Sequence, residues 1–151
     1  MALRTLLEAN DPALRKKSRE VTAFDERLHQ LLDDMHDTMT TAEGVGIAAV
    51  QIGILRRAIV IDIDKRLELI NPVMIQASEE IVTASEGCLS FLGERGMVPR
   101  PHKVSINAFD RHGKPFTFTG EGTLARAICH ELDHLEGITF HERATSMQDP
   151  E

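Results

Sequence analysis

Apolar positions recur at helical spacing in the first third of the chain. Between residues 24 and 39, Phe, Leu and Met return every three or four positions, and Asp and His occupy the positions between them. An apolar stripe opposite a charged face is typical of an amphipathic helix that lies on a core. We therefore predict a helix over residues 25–41, preceded by an irregular lead-in over residues 1–22 that includes at most a short helix.

The middle of the chain alternates short apolar runs with turn residues. Five runs are predicted as strands, at residues 58–63, 67–70, 75–82, 104–109 and 115–119. Short strands at this spacing predict antiparallel meanders rather than βαβ units. Residues 86–101 hold three Gly and two Pro, so this segment is predicted to form a loop.

A second helix is predicted to begin near residues 122–123. Leu124, Ile128 and Leu135 lie on its apolar stripe, and Gly137 follows as the expected C-cap. The polar tail at residues 143–151 is expected to fray. Helices combined with antiparallel strands predict an α+β fold. The length of 151 residues predicts a single domain over residues 1–151.

Composition narrows the class of protein. Hydrophobic residues make up 42% and charged residues 27%, which is typical of a globular chain. A net charge of −7 and the lack of Trp and Tyr argue against a nucleic-acid partner. The two cysteines exclude a disulfide scaffold, and no segment has the pattern of a secretory signal or a membrane span. We expect a cytoplasmic protein without a membrane partner.

The strongest chemical signal is the sequence HELDH at residues 130–134, inside the second predicted helix. Positions i and i+4 share one helix face, so His130 and His134 can bind the same metal ion. Glu131 lies beside the first histidine and can act on a water molecule as a general base. Burying two histidines in an otherwise apolar helix would be costly without such a partner. The pattern predicts a metal-dependent hydrolase.

A catalytic metal site of this kind needs a third protein ligand. Metzincin proteases take it from a histidine at a position that Phe140 occupies here, and His141 lies one residue later. We expect too little chain after His134 for the Glu-bearing helix of thermolysin-like enzymes. The third ligand is therefore expected upstream of the helix. The candidates are Cys88, His102, His112 and a carboxylate.

The two cysteines differ in their sequence surroundings. Cys88 follows Gly87 in the segment rich in Gly and Pro, where a bent backbone can direct a thiolate, so a ligand role is favoured over core packing. Cys129 lies about 100° around the helix from His130, so core packing is favoured there. The other histidines are expected on the surface, namely His29, His36, His102, His112 and His141.

Three segments, in this order, resemble the motifs of the peptide deformylase family. They are GVGIAAVQ at residues 44–51, EGCLS at residues 86–90 and HELDH at residues 130–134. VPRP at residues 98–101 and GTLAR at residues 122–126 extend the likeness over nearly the whole chain. The resemblance implies antiparallel β-sheets that surround a central helix bearing the HExxH motif, together with an N-terminal amphipathic helix.

The resemblance also implies an activity and a cofactor. The enzyme would remove the formyl group from N-formylmethionine at the N-terminus of nascent polypeptides and release formate. It would bind one divalent metal ion through Cys88, His130 and His134, with Fe²⁺ as the cellular metal and Zn²⁺, Ni²⁺ or Co²⁺ able to substitute. A mixed set of thiolate and imidazole ligands accepts any of these ions.

Catalytic roles follow from the same resemblance. Glu131 would take the proton of the attacking water and deliver it to the leaving amine. The Gln51 side-chain amide and the Leu89 backbone N–H would stabilise the negative charge that develops on the formyl oxygen. An ion pair between Glu86 and Arg100 would steady the segment that carries the cysteine ligand.

Substrate binding is implied to be extended, with the peptide laid against exposed backbone like an added strand. Glycines permit such a close approach. The residues implied to contact the substrate are Gly44, Val45, Gly46, Gly87, Arg95 and Ala127. Val45 and Ala127 would border the pocket for the methionine side chain.

The chain departs from the family pattern in three places. Cys129 stands where members often carry Gln, and Phe91-Leu92 stand where they often carry Val-Pro. These changes affect the shape of the pocket more than the metal ligands. Some relatives dock on the ribosome through a long basic C-terminal helix, whereas residues 148–151 are acidic and give that contact no support. A transient ribosome contact remains a partner that the family implies.

Two other functions fit parts of the sequence. An HExxH metallopeptidase would cleave internal peptide bonds, but Phe140 and the short tail argue against it. A non-catalytic metal-binding domain of the same fold would need neither Glu131 nor Gln51, and both are present.

Overall fold

Two antiparallel sheets and their helices make up the fold in a computed structural model that describes residues 3–148. The five-stranded sheet has the order β1-β2-β3-β6-β7 and consists of β1 (Gly46–Ala48), β2 (Ala58–Asp62), β3 (Arg66–Ala77), β6 (Lys103–Phe109) and β7 (Pro115–Glu121). The three-stranded sheet has the order β4-β5-β8 and consists of β4 (Ile81–Cys88), β5 (Phe91–Pro101) and β8 (Ser146–Gln148). The predicted α+β fold with antiparallel sheets is confirmed.

The first helix, α1 (Glu26–Thr41), lies where the apolar periodicity predicts it. The Asp25 carboxylate caps its N-terminus by accepting a hydrogen bond from the Leu28 backbone N–H at 3.2 Å. Its apolar stripe is buried in one core cluster with residues of β1 and β2, so the helix packs on the five-stranded sheet. The lead-in contains a short 3-10 turn at Pro12–Arg15.

The predicted break at Asn71-Pro72 is wrong, because β3 continues through it. The register against β6 shifts between Ile70 and Val73, and Asn71 adopts a positive φ of 50° there. A β-bulge accommodates a proline, which has no N–H to donate to the sheet. The Asn71 side chain also exchanges two hydrogen bonds with the Val21 backbone, at 2.8 and 2.9 Å. The dipeptide therefore bends the strand rather than ending it.

The loop predicted at residues 86–101 is also wrong, since this segment belongs to a β-hairpin. β4 and β5 pair from Ile81 opposite Pro101 to Cys88 opposite Phe91. β8 pairs with β5 only at residues 95–97, so the two prolines lie where β5 is bonded on one side, a position that tolerates proline. The expectation that the tail frays is wrong up to residue 148, because β8 pairs with β5 there. Residues 149–151 lie outside the described residues.

The second long helix, α2 (Thr123–Leu135), contacts strands of both sheets. Its apolar residues share a core cluster with β2 and β6. It ends just before Gly137, which has a positive φ of 76° as a helix C-terminus favours. A short helix, α3 (Phe140–Arg143), follows and packs against β4 and β5. Within the described part of the chain, no helix is long and apolar enough to cross a membrane.

Candidate active site

A groove with a volume of about 790 Å³ opens where β1, the β4–β5 hairpin and α2 meet. The three sequence motifs contribute to its lining, with Gly46 and Gln51 from the first, Cys88 from the second and Glu131 from the third. The fold therefore brings together segments that are far apart in the sequence.

Cys88, His130 and His134 form a compact group, and Cys88 and His130 line this groove. One ligand atom from each lies within 4.8 Å of the others, and Cys88 Sγ is 3.3 Å from His134 Nε2. α2 presents the two imidazoles one turn apart, and the end of β4 supplies the thiol. One thiolate and two imidazoles suit a divalent ion with a fourth position left for water or substrate. Among residues 3–148, His102 and His112 belong to no such group.

The chemistry of this group fits a metal ion. His134 is 1% exposed, and its Nδ1 has no hydrogen-bond partner among the described residues. Burial and the neighbouring His130 lower the pKa of His134 to about 3. A buried imidazole held neutral is a ready metal ligand, because binding requires the unprotonated nitrogen.

A buried ion-pair network orients the first histidine. Glu86 accepts hydrogen bonds from His130 Nδ1 at 2.9 Å, from Arg100 at 3.0 and 3.1 Å, and from Arg126 at 2.7 Å. Burial would raise the pKa of Glu86, but the hydrogen bonds from His130 and Arg100 outweigh it and lower the pKa to about 2. With Nδ1 engaged in this way, Nε2 is the nitrogen of His130 left for a metal.

The sequence patterns do not indicate two further members of this network. Arg126 donates to Glu86, and Asp133 accepts a hydrogen bond from Arg100 at 2.6 Å. Both lie inside motifs, Arg126 at the end of GTLAR and Asp133 within HELDH. The one feature of the sequence that could indicate them is a charged residue on a helix that is otherwise rich in apolar positions.

Glu131 is a buried carboxyl group that faces the groove. It is 4% exposed, and its Oε1 has no hydrogen-bond partner among the described residues. Burial raises its pKa to about 7, so it can take up and return a proton near neutral pH. A Cβ at Gly46 would lie 2.9 Å from Oε2, so glycine is what lets β1 approach this carboxyl so closely.

Gln51 is buried rather than exposed, and its amide is held in one orientation. It lies in the 3-10 turn Ala49–Ile52 and is 1% exposed. Its Oε1 accepts a hydrogen bond from the Ala48 backbone N–H at 2.9 Å. This contact turns Nε2 toward the Cys88 Sγ at 3.5 Å and the Ser90 Oγ at 3.4 Å. The amide therefore presents its N–H donors to the group of candidate metal ligands.

The expected substrate residues all line the groove. Val45 is half exposed at its edge, and the Leu89 side chain lies so close to Gly44 that a Cβ there would be 2.7 Å from it. The Arg95 guanidinium covers Gly87 and donates hydrogen bonds to the Ser85 side chain at 2.8 Å and backbone carbonyl at 3.3 Å. Glycines and charged side chains therefore share the lining of the groove.

The residues that depart from the family pattern have separate positions. Cys129 is buried in the core cluster of α2 and outside the ligand group, as predicted, and burial raises its pKa to about 11. Phe91 is buried in a third core cluster, whereas Leu92 is 80% exposed at the groove. Both residues line the groove, Leu92 with most of its side chain exposed and Phe91 with very little.

Relatives of the chain are found by sequence. A family model described as polypeptide deformylase matches residues 3–150. A peptide deformylase from Caldicellulosiruptor bescii is 52% identical over 144 residues, which cover 95% of this chain and 86% of that protein. Another, from Natranaerobius thermophilus, is 48% identical over 146 residues, which cover 95% of this chain and 94% of that protein.

Solved structures agree with these matches. The crystal structure of peptide deformylase from Thermotoga maritima aligns with a TM-score of 0.94 at 34% identity, covering 96% of this chain and 99% of that one. The structure of a peptide deformylase from Synechococcus elongatus in complex with actinonin aligns with a TM-score of 0.92 at 38% identity, covering 95% of this chain and 79% of that one. On the matches of sequence and of fold together, the chain belongs to the polypeptide deformylase family.

Proposed function

We propose that this chain is a metal-dependent hydrolase that removes the formyl group from N-formylmethionine at the N-terminus of nascent polypeptides and releases formate. The observation that carries this proposal is the group of Cys88, His130 and His134, whose ligand atoms lie within 4.8 Å of one another. Two of its members, Cys88 and His130, line the same groove as Glu131. Membership of the family supports the choice of substrate.

Cys88, His130 and His134 would hold one divalent ion, with Fe²⁺ as the cellular metal and Zn²⁺, Ni²⁺ or Co²⁺ able to replace it. When bound, such an ion lowers the pKa of water and polarises a carbonyl group. Glu86 keeps His130 oriented for this task, and Arg100 bonds Glu86 through two nitrogens. The thiolate requires a reducing compartment, which agrees with the cytoplasm, where nascent chains are made.

Glu131 would receive the proton of the attacking water and pass it to the leaving amine. Its raised pKa suits both halves of that transfer. The formyl oxygen becomes negative during the attack, and the Gln51 amide and the Leu89 backbone N–H would donate hydrogen bonds to it. Donors held in place before the reaction stabilise such a charge without reorganising, and the loss of one typically costs about 10²–10³ in rate.

The formylated peptide would lie extended along the groove. Gly44, Val45 and Gly46 offer backbone on one side, and Gly87 and Arg95 do so on the other. Ala127 lines the groove from the helix side and, with Val45, would border the methionine side chain. We infer further that α2 is the central element of one domain spanning residues 1–151. A transient ribosome contact would bring the enzyme to its nascent substrates.

Formate release measured on protein loaded anaerobically with Fe²⁺ tests this function. Formyl-Met-Ala-Ser should yield formate and free Met-Ala-Ser, and the matched unformylated peptide should remain intact. Metal analysis of the same sample should give one ion per chain. Cleavage of internal peptide bonds without formate would instead indicate a metallopeptidase and would refute the proposal.

A further inference from the structure

The groove side of β5 contains a wide bulge. Glu86 pairs with Gly96 and Cys88 pairs with Phe91, so Gly87 alone faces residues 92–95 on the opposite strand. We call residues 92–95 the rim bulge. Its glycine at position 93 adopts a positive φ of 82°, a conformation that other residues rarely adopt. Bulges of this kind redirect side chains next to functional sites.

The rim bulge presents its side chains to the groove. All four of its residues line the groove, including Leu92 with 80% of its surface exposed. Arg95 is fixed by its hydrogen bonds to Ser85. Leu92 has an aliphatic side chain that cannot form hydrogen bonds, so its position depends on the backbone of the bulge.

One histidine secures the rim bulge from outside the groove. His141 Nε2 lies 2.9 Å from Glu94 Oε1, and its Nδ1 lies 3.2 Å from the Thr139 hydroxyl. The imidazole also meets the Phe91 ring edge-on, with centroids 4.6 Å apart. The described residues offer the Glu94 side chain no other hydrogen bond. His141 was expected on the surface, and its side chain is 28% exposed, but the fold also places its ring against β5.

The element that carries His141 is itself firmly packed. Phe140, the preceding residue, is 1% exposed and stacks on His130 with centroids 6.2 Å apart. It also meets Phe91 edge-on at 6.1 Å. α3 is therefore packed between His130 and Phe91, the residue that precedes the rim bulge. Its histidine is held in place and can contact the partly exposed rim bulge.

We propose that His141 is a positioning residue for substrate binding, which holds the rim bulge in place through Glu94. This inference rests on the proposed function and adds a residue outside the family motifs. The rim bulge would contact the peptide beyond its first residue rather than the formyl group. Loss of the contact between His141 and Glu94 should weaken the binding of longer peptides and leave the rate of the chemical step unchanged.

Steady-state kinetics on the iron-loaded enzyme separates these effects. For formyl-Met-Ala-Ser, the substitution His141→Ala should raise KM about 3- to 10-fold, the usual effect of losing one preorganised side chain, with kcat nearly unchanged. His141→Gln keeps an N–H donor toward Glu94 and should restore most of the lost affinity. Glu94→Ala should match His141→Ala, and the double variant should be no worse than either alone.

Amide hydrogen exchange provides a readout that does not depend on activity. His141→Ala and Glu94→Ala should both speed exchange at residues 92–95 and leave α2 protected. His29→Ala is the matched control, since it removes a ring that contacts His112 at 5.1 Å and bonds the Arg111 backbone carbonyl at 2.8 Å, away from the groove. It should change neither KM nor exchange in the rim bulge.

The outcomes distinguish the two proposals. Unchanged KM and unchanged exchange in His141→Ala would overturn the positioning role, as would a joint loss of kcat and metal content or additive effects in the double variant. A wild-type protein that releases no formate would refute the proposed function. The exchange measurement would then still decide whether His141 holds the rim bulge.

Discussion

At the scale of single residues, burial and hydrogen-bond partners together determine what each ionisable group in the groove can do. Glu131 and Glu86 are both carboxyl groups with little exposure, yet their pKa values lie far apart, at about 7 and about 2. Burial is the main cause that raises the pKa of Glu131, and the charge of Glu86 adds to it. The hydrogen bonds from His130 and Arg100 lower the pKa of Glu86. One carboxyl is thereby suited to proton transfer and the other to holding a histidine.

Replacing Glu131 with Gln should remove proton transfer while keeping shape and volume. We expect formate release to fall by about 10²–10⁴-fold, the usual contribution of general acid–base catalysis, with metal content unchanged. Kinetics and metal analysis on the same sample measure both quantities. Glu142→Gln, at an exposed position of α3, is the control and should have wild-type activity. Undiminished activity in Glu131→Gln would exclude it as the general base.

At the scale of secondary-structure elements, the end of α2 requires a glycine for two reasons. Gly137 has a φ of 76°, and a Cβ there would lie 2.5 Å from the Arg15 backbone oxygen. The glycine thus lets the lead-in segment pass directly over the C-terminus of the helix. Gly53 has a similar φ of 84°, but a Cβ there would meet only the Leu7 side chain, at 3.9 Å.

Substitutions at these two glycines distinguish the energetic cost of a left-handed backbone from the cost of a steric clash. Gly53→Ala should lower the free energy of unfolding by roughly 1–2 kcal/mol, the cost of a left-handed backbone for an ordinary residue. Gly137→Ala should lower the free energy of unfolding by about a further 1–3 kcal/mol, because the added Cβ would clash with the Arg15 backbone and force it to move. Chemical denaturation of both variants measures the difference. Equal losses would show that the contact with Arg15 carries no energy.

A charged cluster connects α1 to the five-stranded sheet. Arg111 donates to Glu68 at 2.7 and 2.9 Å and to Asp33 at 2.9 Å. The hydrogen bond from Arg111 is the main cause that lowers the pKa of Asp33. Burial would raise the pKa of Glu68, but the hydrogen bonds and charges of Arg111 and Arg66 together outweigh it and lower the pKa.

This cluster should make stability depend on pH. A carboxyl whose pKa is lowered on folding stabilises the protein above its unfolded-state pKa, 4.5 for Glu68, and loses that contribution as the pH falls through its folded-state pKa. Glu68→Gln should therefore cost roughly 1 kcal/mol at pH 7 and progressively less below pH 4.5. Denaturation at several pH values measures this, with exposed Glu79→Gln as the control. A loss of unfolding free energy in Glu68→Gln that does not change with pH would contradict the stabilising role of the Glu68 charge.

At the scale of the whole molecule, the candidate metal ligands join separate parts of the fold. Cys88 ends a strand of the three-stranded sheet, whereas His130 and His134 lie on a helix packed against the five-stranded sheet. An ion held by all three would cross-link these parts. A ligand that binds only the folded state stabilises a protein by an amount that grows with the logarithm of the ratio of free ligand to Kd.

Removing the metal should therefore lower Tm, and restoring it should raise Tm again. A hundredfold excess over Kd corresponds to about 2.7 kcal/mol. Cys88→Ala should lose stoichiometric metal and the response to chelator, whereas Cys129→Ala should keep both, since Cys129 lies outside the ligand group. Thermal scans with metal analysis provide the measurement. The reverse pattern in the two cysteine variants would refute the assignment of ligands.

Local sequence patterns were most informative where a single element decides the outcome. The apolar periodicity located α1 and α2, because a helix buries whichever face its own sequence makes apolar. The i, i+4 spacing brought His130 and His134 to one face for the same reason. Turn residues misled at Asn71-Pro72 and at residues 86–101, because pairing with neighbouring strands outweighed local preference.

By itself, the sequence determined the fold class, the two histidines on one helix and, through three motifs in order, the family. Only the tertiary structure decided which distant groups meet: Cys88 at the histidines, Arg126 at Glu86, and His141 at Glu94. The physical reason is that helical periodicity acts over a few residues, whereas these contacts span 40 or more positions. Such contacts depend on how the two sheets pack around α2.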